Sequence, residues 1–258
     1  MSASQLIENF WEKYISYTPS ANRIHQLFST NITNDHIAFR TLNISKTSID
    51  VQKEYLSQFG YQERGKYDFK VKKLRAIHLE NENKSLPKIF LSELLLDQFS
   101  DKLQKKFYEV LEKKKFINDD LFLGGRSWEI EYNTYLQLAK ESEYASWLYV
   151  WGFCPNHFTL SVNHLHDYKS LQEVNDLVKK NGFKLNKSGG EIKGSPGQLL
   201  EQSSTIADLQ NVNFSGIIHS VPSCYYEFAR RYELSRGKLY QGFIAKSADK
   251  IFESTNIQ

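Results

Sequence analysis

Two stretches of the chain alternate apolar and polar residues with the period of two that marks a strand, and each carries a histidine near its start. In DHIAFRTL, residues 35–42, the side chains of His36, Ala38 and Arg40 fall on one face. In CPNHFTLSVN, residues 154–163, His157, Thr159 and Ser161 do the same. A polar turn, a short helical stretch and a glycine follow each strand: residues 48–59 and then Gly60 in the first, residues 170–180 and then Gly182 in the second. Glycine there is the usual helix stop. The parallel predicts two strand-led modules, each with a histidine at the same place, facing a shared cleft. A third strand reads from CYYEFA, residues 224–229, with Tyr225, Glu227 and Ala229 on the face opposite Cys224, Tyr226 and Phe228.

Around these strands the pattern predicts helices over residues 4–14 and 21–28 with Pro19 between them, and short strands near residues 67–69, 74–79 and 89–92. Residues 100–149 read as helical, broken at FLGGR, residues 122–126. From Gly189 to Ala207 the chain is rich in Gly, Ser and Pro and reads as a loop with a short helical piece, a composition common in binding and lid segments. One more strand is expected over residues 240–245.

Composition narrows the class. The 258 residues are 40 % hydrophobic and 24 % charged, as in ordinary globular proteins, and the 14 % aromatic content favours strands and cavity walls. Net charge is only +3, and the basic runs Lys105-Lys106 and Lys113-Lys114-Lys115 read as the solvated face of a helix. No nucleic-acid-binding module accompanies them. The first residues alternate at helical spacing instead of forming a leader, and no apolar run reaches membrane-spanning length. Two lone cysteines, Cys154 and Cys224, make no disulfide framework, so a reducing compartment, the cytoplasm, is expected.

Short catalytic signatures are missing: there is no GxGxxG, Walker A, HExxH, CxxC or GxSxG. The chemistry therefore rests on residues far apart in the chain. Glu227, set among Tyr225, Tyr226 and Phe228, is costly to bury unless it is paired or holds a metal; a partly exposed Glu pairing with Arg230 or Arg231 is the plainer reading. His36 and His157 are either structural strand histidines or ligands. With Glu227 they make a 2-His-1-carboxylate set, which leaves open positions on an octahedral ion for a chelating substrate and O₂. Imidazole and carboxylate also suit Zn, Mn, Co or Ni. Arg40 lies four residues after His36 on the same strand face, about 13 Å along it. Its planar fork suits a carboxylate, or a salt bridge inside the fold. Lys193, Ser195, Gln202, Ser203 and Ser204 are candidates to line a polar pocket, and His164 and His166 read as surface histidines.

Taken together, DHIAFRTL, YDF with a following KK, PKIFLSEL, CPNHFTLSVN, QSSTIAD and CYYEFARR resemble the DUF1338 family, from Asp35 to Arg231. That family includes Fe(II) enzymes of lysine catabolism that act on 2-oxoadipate, with a fold similar to the vicinal oxygen chelate (VOC) superfamily. The resemblance implies an α+β fold of paired βαβββ modules, a curved mixed sheet around a metal cleft, and added helices. It implies one compact domain, with module 1 at about residues 30–95, a helical insert at 98–150 and module 2 at 153–246. The metal ligands implied are His36, His157 and Glu227, with Arg40 on a substrate carboxylate and Tyr67, Lys193, Ser204 and Tyr225 as further substrate contacts. The implied reaction takes 2-oxoadipate and O₂ to 2-hydroxyglutarate and CO₂, with Fe(II) as cofactor and a 2-oxo acid and O₂ as partners, no nucleic acid or membrane, and the oligomeric state left open. The best-characterised family members are longer, so the chain length of the acid stays open. A VOC-type lyase, isomerase or hydrolase without O₂ chemistry, and a non-catalytic small-acid binder, are the rival readings.

Overall fold

The computed structural model describes residues 1–28, 32–112, 114–117 and 119–255. The expected start of module 1 near residue 30, and Lys113 of the second basic run, lie outside the described residues. The chain opens with α1 (Ala3–Ile15) and α2 (Pro19–His25), and Pro19 takes the first turn of α2, where its missing N–H costs nothing. β1 (Asn34–Leu42), α3 (Ile49–Ser57), β2 (Tyr61–Phe69), β3 (Leu74–Asn81) and β4 (Lys88–Leu94) follow. The middle is helical, as its pattern predicts: α4 (Asp101–Glu112), α5 (Asp120–Leu123), α6 (Tyr132–Glu141) and α7 (Glu143–Trp151). Then come β5 (Pro155–Ser161), α8 (Leu171–Lys180), β6 (Lys193–Ser195) and β7 (Leu200–Ser204). The ribbon β8 (Leu209–Phe214) and β9 (Ile217–Pro222) precedes β10 (Tyr225–Arg231), the small pair β11 (Glu233–Ser235) and β12 (Lys238–Leu239), and α9 (Ala245–Ile251).

Eight strands form one mixed sheet in the order β2-β3-β4-β1-β5-β10-β7-β6. Its two halves repeat one plan. β1 pairs parallel with β4 as β5 pairs parallel with β10, and the outer strands of each half are antiparallel. β1 and β5 join the halves, running antiparallel at the centre. Both central strands are buried along nearly their whole length, because helices cover the outer face and the inner face is closed over as well. On the outer face Phe10 of α1 meets Phe39 and Phe122 at ring centroid distances of 4.9 and 5.6 Å, and Trp11 meets Phe158 at 5.1 Å. Each such buried aromatic stabilises the fold by roughly 1.5–3 kcal/mol before the entropy of ordering it. The inner face is α+β architecture turned to another use: polar side chains of β1, β5, β7 and β10 converge there.

Three expectations change. β2 begins at Tyr61, not near Tyr67, because it is an edge strand whose alternate residues face water. The Gly-rich stretch is not a loop: β6 and β7 form a hairpin that completes the sheet, with a 3₁₀ turn over Pro196–Gln198. Residues 240–244 are not a strand either, but an extended passage whose Tyr240 and Gly242 carbonyls accept from Arg231, at 3.1 and 2.7 Å, before α9 begins.

Gly152 delivers the chain into β5. It ends α7 at φ 68°, and a side chain there would collide with the backbone of Gly125, which bridges to Phe153. Only glycine fits both demands. Cys154 and Cys224 are buried free thiols, and among the described residues no helix is long and apolar enough to cross a membrane.

Candidate metal centre

His36 from β1, His157 from β5 and Glu227 from β10 bring one ligand atom each to within 4.8 Å of one another at the middle of the sheet. All three are between 0 and 4 % exposed. The strand alternation that puts His36, Ala38 and Arg40 on one face, and Tyr225 and Glu227 on another, aims them all inward. His157 Nε2 lies 3.2 Å from Glu227 Oε2, and His36 Nε2 lies 3.7 Å from Oε1. Ligands at neighbouring positions of an octahedral ion stand about 3 Å apart, since the bonds run about 2.1 Å.

The other ring nitrogen of each histidine is held by the residue just before it. Asp35 Oδ1 is 2.9 Å from His36 Nδ1, and Asn156 Oδ1 is 3.0 Å from His157 Nδ1. The β1–β5 register explains how adjacent residues can share a side. It slips between Asn34 and His36, and again where Ala38 and Phe39 face His157 and Pro155, so Asp35 and Asn156 each sit in a bulge. Bulges re-aim a side chain that regular alternation would send to the other face. With both acceptors on Nδ1, the Nδ1–H donates and Nε2 is left unprotonated on the side facing Glu227.

That arrangement suits a cation. Burial pushes the Glu227 carboxyl up to about 8, against the hydrogen bond from Gln202 that favours its charge. Burial also lowers His36, opposed by Asp35, and holds His157 well below the usual range with help from the positive charge of Arg40. Glu227 Oε2 is buried and makes no hydrogen bond among the described residues. Two neutral imidazole lone pairs and an unsatisfied carboxylate oxygen, packed this closely, are a donor set for a divalent ion. Thr159 Oγ1 lies 3.1 Å from His36 Nε2, within hydrogen-bond reach.

Arg40 is 1 % exposed and lies beyond the triad on the same face of β1. Its guanidinium is sandwiched between the rings of Tyr144 and Trp147, at 4.8 and 5.0 Å, and donates to Glu143 at 2.7 Å and Thr255 at 3.1 Å. Burial works against its charge, and Glu143 more than restores it. Tyr225 stacks on His157 at 4.7 Å, and its buried hydroxyl has no partner among the described residues. Lys193 belongs to β6, opposite Gln202; its Nζ donates to the Asn186 carbonyl at 2.6 Å, and burial brings its pKa down to about 8. Ser204 faces Glu227 across the β7–β10 ladder and bonds Ser254 at 2.8 Å. Tyr67 stands apart: Phe243 lies between it and His36, with ring distances of 5.9 and 4.8 Å.

Arg231 does not pair with Glu227. It grips Asp35 with two donors, Nε to Oδ2 at 2.6 Å and a terminal nitrogen to Oδ1 at 2.8 Å. Burial would raise the Asp35 carboxyl, but Arg231 and the bond to His36 hold it well below the usual carboxylate range. Sequence reasoning missed the roles of Asp35, Asn156 and Glu143, and left Gln202 as one polar residue among several. The polar residue directly before each strand histidine was the visible signal.

The family profile for 2-oxoadipate dioxygenase/decarboxylase matches residues 4–123 and 120–239. The rice (Oryza sativa subsp. japonica) chloroplastic/amyloplastic 2-oxoadipate dioxygenase/decarboxylase is 36 % identical over 283 residues, covering 97 % of this chain and 78 % of its own. The crystal structure of rice hydroxyglutarate synthase in complex with 2-oxoadipate matches with a TM-score of 0.90 at 35 % identity, covering 98 % of this chain and 91 % of its own. A Shewanella frigidimarina protein described as a hydrolase matches at 0.89 and 44 % identity, covering 94 % of this chain and 97 % of its own. The chain belongs to the 2-oxoadipate dioxygenase/decarboxylase family.

Proposed function

We propose that the chain is an Fe(II)-dependent dioxygenase/decarboxylase that converts 2-oxoadipate and O₂ to 2-hydroxyglutarate and CO₂. The atoms balance without a second cosubstrate: both oxygen atoms of O₂ end in the two products. The observation that carries the reading is the convergence of His36, His157 and Glu227, all buried, within 4.8 Å of one another in a chain of this family. Fe(II) held by such a set supplies chelation of a 2-oxo acid and activation of O₂.

The residues around it do the rest. Asp35 and Asn156 keep each imidazole turned with Nε2 inward, so the donor set is formed before any ligand arrives. Arg40 holds the second carboxylate of the acid; its guanidinium is kept flat and charged by the flanking rings and Glu143. Tyr225, with its unpartnered hydroxyl, offers a hydrogen bond to the same ligand, and Lys193 and Ser204 line the far wall. Phe243, edge-on to His36, and Tyr225 exclude water from the centre. Tyr67 acts by holding Phe243, whose backbone N–H donates to its hydroxyl at 3.1 Å. The two modules, about residues 30–95 and 153–246, work as one unit with the insert at 98–150, which supplies Glu143, Tyr144 and Trp147. The two buried thiols suit a reducing compartment, and we place the protein in the cytoplasm.

The test is oxygen uptake by protein loaded anaerobically with Fe(II), on addition of 2-oxoadipate, with products followed by mass spectrometry. One O₂ consumed per acid, with 2-hydroxyglutarate and CO₂ formed, is expected. In the same assay Arg40→Met should keep its iron and lose turnover by about a hundredfold or more. An iron-loaded wild type that consumes no O₂ with 2-oxoadipate, or with shorter and longer 2-oxo diacids, would overturn the proposal in favour of a non-oxidative VOC-type reaction.

A further inference from the structure

We propose that Gln202 is a positioning residue that decides which oxygen of Glu227 takes the metal ion, and so keeps the carboxylate to one bond. The proposal rests on the metal-centre reading above, and not on the identity of the substrate. A carboxylate can hold an ion through one oxygen or both. A six-coordinate ion held by two imidazoles and one carboxylate oxygen keeps three positions open; held by both oxygens, it keeps two. A chelating acid and O₂ together need three.

Gln202 lies on β7, is 3 % exposed, and faces Ala229 in the β7–β10 ladder. The small side chain opposite leaves room for the amide to run along the inner face to Glu227, where Nε2 donates to Oε1 at 2.6 Å. That short bond occupies one of the oxygen's two lone-pair directions, makes it the less available donor toward an ion, and fixes the plane of the carboxylate. Oε2 is left buried with no hydrogen bond among the described residues, 3.2 Å from His157 Nε2. The two oxygens, equivalent in a free carboxylate, are thus made different: one is tied to the sheet and one is offered to the ion. The amide's own oxygen, Gln202 Oε1, is also buried without a partner among the described residues. Burying an amide with only half of it bonded to protein is costly, so an amide at this place answers to the carboxylate and not to packing.

The experiment uses cobalt(II), whose visible bands report its coordination, in the wild-type chain and in Gln202→Leu and Gln202→Met. It records the bands, the rate of cobalt loss to excess chelator and the thermal midpoint of each metal-free protein. Gln202 as a positioning residue predicts shifted bands and loss about 10–100-fold faster in both variants. A merely structural residue would lower the midpoint while leaving bands and loss rate as in the wild type, and that result overturns the proposal. Should the leucine variant not fold, the methionine variant decides alone. A wild type that takes up no cobalt overturns the metal centre and this proposal together. Because neither O₂ nor acid is present, a failure of the 2-oxoadipate reading leaves the result intact.

Discussion

His36 and His157 reach one centre from strands of the same design, yet what stands behind each ring differs in charge. Behind His36 is an ionised carboxylate, Asp35, itself clamped by the buried guanidinium of Arg231. Behind His157 is the neutral amide of Asn156, whose Nδ2 has no partner among the described residues. The rings are flanked differently too: Phe243 meets His36 edge-on, whereas Tyr225 stacks on His157. An imidazole donating to a carboxylate is the stronger base toward a metal, so of the two candidate ligands His36 is expected to hold an ion more tightly than His157.

That inequality can be broken from either side. Asp35→Leu should have the larger effect, because it also leaves Arg231 charged and buried with its main partner gone. A loss of about 3–5 kcal/mol in urea unfolding of the metal-free protein is expected, with weaker metal binding besides. Asn156→Leu removes a neutral bond and leaves one ring N–H unsatisfied. It should cost about 1–3 kcal/mol by the same measurement, with a smaller loss of metal affinity. If Asn156→Leu proved the more damaging to metal affinity, the ranking of the two ligands would be reversed.

How far the sequence could show this depended on which way each strand's face points. β1, β5 and β10 were readable because apolar residues on the outer face alternate with the chemistry on the inner one. β6 and β7 were not, since the residues they turn inward are Lys193, Gln202 and Ser204. A strand whose core side is a polar pocket has no hydrophobic stripe to announce it, and its glycines then look like a loop. β2 hid for the opposite reason, as an edge strand with its polar residues in water. The three candidate ligands, which the fold does bring together, were legible by residue type, and the family resemblance joined them. The Asp35–Arg231 clamp, across 196 residues, was beyond reach because two bulges and an extended passage near the C-terminal helix create it. Of the two readings of Arg40, the salt bridge inside the fold is present, to Glu143 at 2.7 Å, and the proposed substrate role would use the same guanidinium.

His36, His157 and Glu227 are proposed to hold one ion together. The most direct test is metal content after Fe(II) loading and gel filtration under anaerobic conditions, for the wild type and for Glu227→Ala. One iron per wild-type chain and almost none in the variant, both folded, is the predicted result. Equal iron in the two proteins, or none in either, would contradict the centre described here.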